Sequence, residues 1–212
     1  MQGFTTTNMK LISFDKLIAT PWKNGGGVTR ELACYPAGAA LDDFVWRISI
    51  AEVNRSGPFS PFPGIDRVIT LLEGDGMQLI FADGEQRALT TPLLPFRFRG
   101  ERIVNAQLAG AASQDFNLML RRDAVDGSLQ VRHESGEVAS DGGVVALFCA
   151  RGSWEINAPD GHRHQLDLRQ TLTGECSSGT LRIQPLQADS ALLCVTVSVR
   201  ARQPTGSPHG HD

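Results

Sequence analysis

Between Trp22 and Glu31, ten residues bring together an indole, an ammonium, an amide, three glycines, a hydroxyl, a guanidinium and a carboxylate. Consecutive glycines let the backbone enter conformations that other residues resist. Their N–H groups can also line a concave nest for an anion. Two phosphate-binding patterns fail here. No Gly-Lys-Ser/Thr follows at P-loop spacing, and Arg30 stands where a dinucleotide fingerprint needs its third glycine. Two readings stay open: a glycine-rich turn feeding a strand, or a loop in which Trp22, Lys23, Asn24 and Gly26 wall a ligand pocket.

Further polar residues sit where they can face a lumen. Arg47 and Ser49 share one face of an alternating stretch with Val45 and Ala51, opposite Phe44, Trp46, Ile48 and Ile50. Small and polar residues on an inward face fit a barrel with room for a ligand. The alternative is a structural pair, for example Arg47 with Glu31. Since a buried arginine needs a partner, the pair and the site can be one thing. Asn117 lies between Phe116 and Leu118 and reads the same way, with Met119 as packing. Arg67 either joins this set or pairs with Asp66 or Glu73 at the surface. Arg30 and Glu31 point to opposite faces of their strand, so one of them at most faces a lumen unless a bulge intervenes.

Histidine placement limits the chemistry. Residues 1 to 132 contain none of the five histidines, so this half can neither build a His-based metal centre nor use a His base. Its inventory of Arg, Lys, Asn, Ser, Thr, Glu and Trp suits a carboxylate- or amide-bearing small molecule, because charge-assisted bonds to Arg are strong. The metal-like pattern is His162-Arg163-His164. Its imidazoles converge if both lie in a strand, but it directly follows a turn. His209 and His211 belong to a polar tail. No nucleophile elbow is present, and Cys34 and Cys149 have no evident base. No cofactor is expected.

The elements that must position these groups are short strands. They are expected at Lys10–Phe14, Val28–Tyr35, Phe44–Val53, Gln86–Thr90, Phe96–Arg99, Ile103–Gln107 and Phe116–Arg121. A hairpin is expected between Arg67–Leu72 and Met77–Phe81. Later strands fall at Leu129–His133, Val144–Ala150, Trp154–Asn157, His162–Leu168, Thr180–Leu186 and Ala191–Arg200, with Asp160-Gly161 as a hairpin turn. Asn54 to Gly64 carries three prolines and is a loop. Phe59 and Phe62 within it predict that it packs down as a lid. No stretch sustains a helical period, and the class is an all-β barrel or sandwich. Asp123 to Gly127 divides a first barrel (1–122) from a second (123–201), followed by a disordered tail (202–212). The first strand can pair into the second barrel.

Composition narrows the partners. The 212-residue chain has a net charge of −3, pI about 5.9 and 41% hydrophobic residues. It lacks a basic run, so nucleic-acid binding by a charged surface is not expected. No segment approaches the roughly 20 apolar residues of a membrane helix, and the N-terminal residues lack a signal-peptide core. Four scattered cysteines without a Cys-x-x-Cys fit reduced thiols in the cytoplasm. Two copies can also pair through an exposed sheet edge.

Five further segments, taken with the glycine stretch, carry a resemblance. They are Trp46–Ala51, Gly57–Ser60, Phe62–Arg67, Leu71–Gly74 and Asp115–Arg122. In order and spacing they resemble the HutD/Ves family, densely from Pro21 to Arg122 and loosely beyond. The resemblance implies an all-β bicupin of two barrels in a cytoplasmic bacterial protein. It also implies an accessory or regulatory role beside histidine-utilisation enzymes, with a ligand such as urocanate or formylglutamate. The expected ligand site is Trp22, Lys23, Asn24, Gly26, Arg30, Glu31, Arg47, Ser49, Arg67 and Asn117. Competing readings are a cupin hydrolase or isomerase, metal-free or using His162 and His164, and a protein that only presents interaction surface.

Overall fold

The computed structural model describes residues 7–139, 143–176 and 179–200. The sequence reads as an unstructured lead-in over Met1–Asn8, but Thr7 and Asn8 begin the first strand; residues 1–6 and the expected tail, with His209 and His211, lie outside the described residues. The strands in chain order are β1 (Thr7–Ser13), β2 (Thr20–Pro21), β3 (Gly27–Tyr35), β4 (Trp46–Val53), β5 (Gly57–Pro58) and β6 (Ile65–Glu73). Then come β7 (Met77–Phe81), β8 (Gln86–Leu89), β9 (Phe96–Arg99), β10 (Val104–Leu108), β11 (Ser113–Arg121) and β12 (Val125–Arg132). The rest are β13 (Gly136–Ala139), β14 (Val144–Arg151), β15 (Trp154–Asn157), β16 (Arg163–Leu166), β17 (Gln170–Cys176), β18 (Thr180–Pro185) and β19 (Ala191–Val199). One 3-10 turn, Phe14–Lys16, is the only helical element among the described residues.

Four sheets stack as two sandwiches, each a cupin-type barrel. A six-stranded sheet, β2-β3-β4-β11-β6-β9, faces the four-stranded β5-β10-β7-β8. Val53, Ile69 and Phe98 of the first meet Met77, Leu79, Phe81, Val104 and Ala106 of the second. The second barrel pairs the five-stranded β1-β17-β14-β19-β12 with β13-β18-β15-β16. Its interior is filled by residues such as Leu147, Trp154, Ile156, Leu166, Leu181 and Leu192.

A third apolar layer joins the barrels back to back. Trp46, Ile48, Ile50, Phe116, Leu118 and Leu120 of the six-stranded sheet pack on Ala146, Phe148, Leu193, Val195 and Val197 of the five-stranded sheet. Each large side chain buried there contributes about 1.5–3 kcal/mol. Phe14 plugs the same layer, with the guanidinium carbons of Arg30 and Arg169 at 4.9 and 4.2 Å from its ring centroid. This layer fixes the orientation of everything else. Period-two alternation sends Arg47, Ser49, Ala51, Asp115, Asn117 and Met119 to the other face, into the first barrel.

Several expectations need correction. Arg67–Leu72 and Met77–Phe81 do not form a hairpin: β6 lies in the six-stranded sheet and β7 in the facing one. Gly74 and Gly76, at φ of 95° and 78°, carry the chain between them. A Cβ on either would overlap a backbone oxygen, of Ala112 or Leu89. Phe44 precedes β4 instead of extending it, and packs with Ile65 and Met119 at one end of the first barrel. Val125 to Gly127 belong to β12 and leave only a tight turn before it. His162 stands in the turn before β16, outside the strand. Strands β13 and β17 were not expected. β17 is the one that receives β1, with Leu11 opposite Leu172. The Asp160-Gly161 hairpin between β15 and β16 is present.

Candidate functional site

The first barrel carries the polar chemistry. On its six-stranded wall, Glu31, Ser49 and Asn117 occupy one cross-strand row, and Cys34, Arg47, Met119, Arg67 and Phe98 occupy the next. Arg47 donates from Nε to Glu31 Oε2 at 2.8 Å and from Nη1 to Ser49 Oγ at 3.2 Å. Arg67 donates from Nη2 to Asn117 Oδ1 at 3.1 Å, and Asn117 Nδ2 donates to the Asp115 carbonyl at 3.2 Å. The structure therefore brings Glu31, Arg47, Ser49, Arg67 and Asn117 into one cluster.

Arg67 is the unusual member. It is 7% exposed, and Asp66 has turned away to Arg97 and Arg122 at the surface. No carboxylate pairs with Arg67 among the described residues, and its Nε has no hydrogen-bond partner. Its guanidinium carbon instead lies 5.4, 5.6 and 5.1 Å from the ring centroids of Phe59, Phe62 and Phe98. Aromatic faces attract a cation, but supply no acceptor for its N–H groups. Burial, with Arg47 nearby, lowers the Arg67 pKa to about 10, which leaves it charged at neutral pH. Arg47 and Arg67 face one paired carboxylate, Glu31, so positive charge is in excess wherever Asp115, next along the same face of β11, holds its proton.

The loop between β4 and β6 packs down as its phenylalanines predict. Phe59 makes an edge contact with Trp22 at 6.1 Å and also lies beside Arg67. Trp22 donates from its indole to Thr29 Oγ1 at 2.7 Å. With Asn24, Gly26, Arg55 and Phe59 it lines an open hollow of about 170 Å³. That hollow does not reach Arg47, Arg67 or Asn117, and Phe59 stands between it and Arg67.

The glycine run is built for shape. Gly25 has φ of 66°, Gly26 donates around a bend to Asn24 Oδ1 at 2.9 Å, and a Cβ on Gly27 would overlap the Glu52 carbonyl oxygen. Lys23 is exposed in the turn and does not join the cluster. Arg30 is a further correction. It lies on the opposite face from Glu31, pairs with Glu52 and covers Phe14, because strand alternation assigns it to the layer between the barrels. A register shift follows Glu31, and Leu32 is buried in that same layer.

Other chemistries find little support in the residues. His162 is 77% exposed beside Asp160, and no set of three His, Cys, Asp or Glu side chains converges among the described residues. Burial pushes Cys149 and Cys194 up to about 11 and about 12, so both are unreactive thiols. Burial, followed by the Glu31 carboxylate, also raises Cys34. Sequence reasoning missed Phe98 and Asp115 as parts of the site. Each shares a face with a residue it did select, Phe98 opposite Arg67 and Asp115 two residues before Asn117.

Fold and site together define a two-barrel cupin whose first lumen holds an aromatic-walled, cationic cluster. The chain belongs to the HutD family, whose model matches residues 15–193. A Pseudomonas putida protein described as an uncharacterized 21.2 kDa protein in the hutC 3' region is 37% identical over 164 residues, covering 77% of this chain and 85% of that one. Protein Ves of Escherichia fergusonii is 40% identical over 150 residues, covering 70% and 76%. The solved structure of HutD from Pseudomonas fluorescens, in a formate condition, superposes with a TM-score of 0.80 at 30% identity, covering 92% of this chain and all of that one. A cupin barrel protein from Leptotrichia buccalis, at 7% identity and a TM-score of 0.56, shares the fold alone, over 90% of this chain and 96% of its own. No helix of the described residues is long and apolar enough to cross a membrane.

Proposed function

We propose that this protein binds a small anionic metabolite in its first barrel and serves histidine utilisation in the cytoplasm as an accessory or regulatory factor. The observation that carries the reading is Arg67, a buried, charged guanidinium with an unused Nε and no carboxylate partner. Leaving a charge in that state is costly unless a ligand completes it. A carboxylate is the natural complement, because guanidinium and carboxylate match as a fork. Arg47 and Asn117 flank the same position and give the ligand a second cation and an amide to read. The hutC-region name of one relative and the HutD name of another support the histidine-utilisation setting. Urocanate and formylglutamate are the ligands of choice.

A thermal-shift panel tests this with histidine, urocanate, formylglutamate, formate, glutamate and divalent metals. A ligand at about 100 times its Kd adds about 2.7 kcal/mol, a Tm rise of roughly 5–10 °C for a domain of this size. The expected result is a rise with a pathway acid that disappears in Arg67→Met. A rise confined to metals, or one unchanged in that variant, would overturn the reading.

A further inference from the structure

The first lumen contains a second unsatisfied group. Asp115 lies two residues before Asn117 on the same face of β11 and is fully buried. Its Oδ2 accepts from Ser113 Oγ at 3.0 Å, while its Oδ1 has no partner among the described residues. Ala51 of β4 and Leu71 of β6 are its cross-strand neighbours. Neither offers a hydrogen bond from its side chain. A buried carboxylate oxygen with no donor is strongly disfavoured. Burial accordingly raises the Asp115 pKa to about 7, so that in mildly acidic solution it is the neutral acid. Its hydroxyl proton then lacks an acceptor, just as the Arg67 Nε–H does.

We propose that Asp115 determines ligand specificity: as the neutral acid it donates a hydrogen bond from Oδ1 to an acceptor at the end of the ligand remote from the arginines. This rests on the anion-binding reading above. Strand geometry supplies the ruler, since residues two apart on one face are separated by about 6.5–7 Å. The Arg67 guanidinium already reaches the level of Asn117. The ligand class is therefore a carboxylate that carries a second hydrogen-bond acceptor about 5–7 Å from the first.

The pH dependence has a defined sign. The charged groups on the wall around Asp115 are Arg67 from β6, Arg47 from β4 and Glu31 from β3, which is paired with Arg47. Strands β7 and β10 close the opposite wall with Met77, Leu79, Val104 and Ala106, which do not titrate. Donation needs the Asp115 proton. Affinity for a ligand with the second acceptor is greatest below about 7 and falls as pH rises through that value.

Calorimetric titration of the full chain with glutarate and with butyrate provides the test. Both acids carry a carboxylate on the same three-carbon chain, and only glutarate ends that chain in a second carboxylate, the second acceptor. Titrations are run one unit below and one unit above the Asp115 transition. The wild type is expected to prefer glutarate by about fivefold to tenfold in the acid arm, the worth of one hydrogen bond, and to lose that preference in the alkaline arm. Asp115→Asn, which keeps a donor, should hold the preference in both arms. Asp115→Leu should lose it in both while still binding butyrate, which shows an intact lumen. A glutarate preference that survives in Asp115→Leu, or a wild-type pH profile in Asp115→Asn, would overturn the proposal and leave anion binding standing. Failure of the wild type to bind either acid would remove the anion-binding reading and the proposal with it.

Discussion

Arg67 and Asn117 meet diagonally across β6 and β11, with Nη2 3.1 Å from the amide Oδ1. A neutral amide thus occupies the place where a buried arginine ordinarily finds a carboxylate. The cluster is incomplete in a specific direction: it has donors and positive charge to spare. Several measurable consequences follow from that imbalance and from the backbone that supports it.

Arg67→Met should stabilise the ligand-free protein while abolishing anion binding. Replacing a buried charged group by an apolar one of similar length is commonly neutral or favourable by roughly 1–4 kcal/mol. Here no carboxylate is left behind, and three phenylalanine rings already surround the site. Urea denaturation with and without ligand checks both halves. A large loss of stability would show that the cation is structural.

Glu31→Gln should tighten anion binding. Glu31 holds Arg47 through its Nε and competes with an incoming carboxylate for that cation. Its side chain is 37% exposed, so solvent screening keeps the effect small, at about fivefold or less. Titration with a pathway acid checks the direction. Weaker binding would mean that Glu31 orients Arg47 more than it neutralises it.

Asp115 should make stability fall with pH. Its pKa is about 7 in the fold, against 3.8 as the ordinary value. The folded state therefore holds a proton that the unfolded chain sheds. That contribution is complete below the ordinary value and is lost as pH rises through about 7, by up to roughly 4 kcal/mol in total. Asp115→Asn should flatten this part of the profile. Denaturant midpoints measured across the range check it, and parallel curves for the two proteins would contradict it.

Gly27→Ala should cost more than Gly25→Ala, although only Gly25 has a positive φ. A Cβ on Gly27 meets the Glu52 backbone oxygen, so β3 and β4 must separate, at a cost of about 1–3 kcal/mol. A Cβ on Gly25 points into open space, and the left-handed conformation alone costs roughly 1–2 kcal/mol. Only the Gly27 variant should also weaken ligand binding, because β4, which must shift, carries Arg47. Equal binding by both variants would separate the glycine loop from the site.

The faces of strands were legible in the sequence, and their partners were not. Alternation along Trp46–Ala51 and Phe116–Arg121 put Arg47, Ser49 and Asn117 on the face they occupy. Apolar residues in a proline-rich loop correctly placed Phe59 and Phe62 against the barrel. Period two says nothing about which strand lies alongside, so β6 and β7 looked like a hairpin although they lie in facing sheets. β17 was hidden because Gly174 interrupts it, yet that glycine is required where β1 passes: a Cβ there would overlap the Asn8 carbonyl oxygen. Asp115 went unselected because a lone carboxylate usually belongs at the surface. Its burial comes from tertiary packing that no local pattern records.

The pairing of β1 with β17 has a bearing on synthesis. β1 closes the edge of a sheet whose other members, β12, β14, β17 and β19, all follow the strands of the first barrel in the chain. It must wait, unpaired, through translation of almost everything else, at about 5–20 residues per second. The two barrels therefore mature together. A nascent chain halted after β11 would display its first strand and the apolar back of its six-stranded sheet as open surfaces for a chaperone.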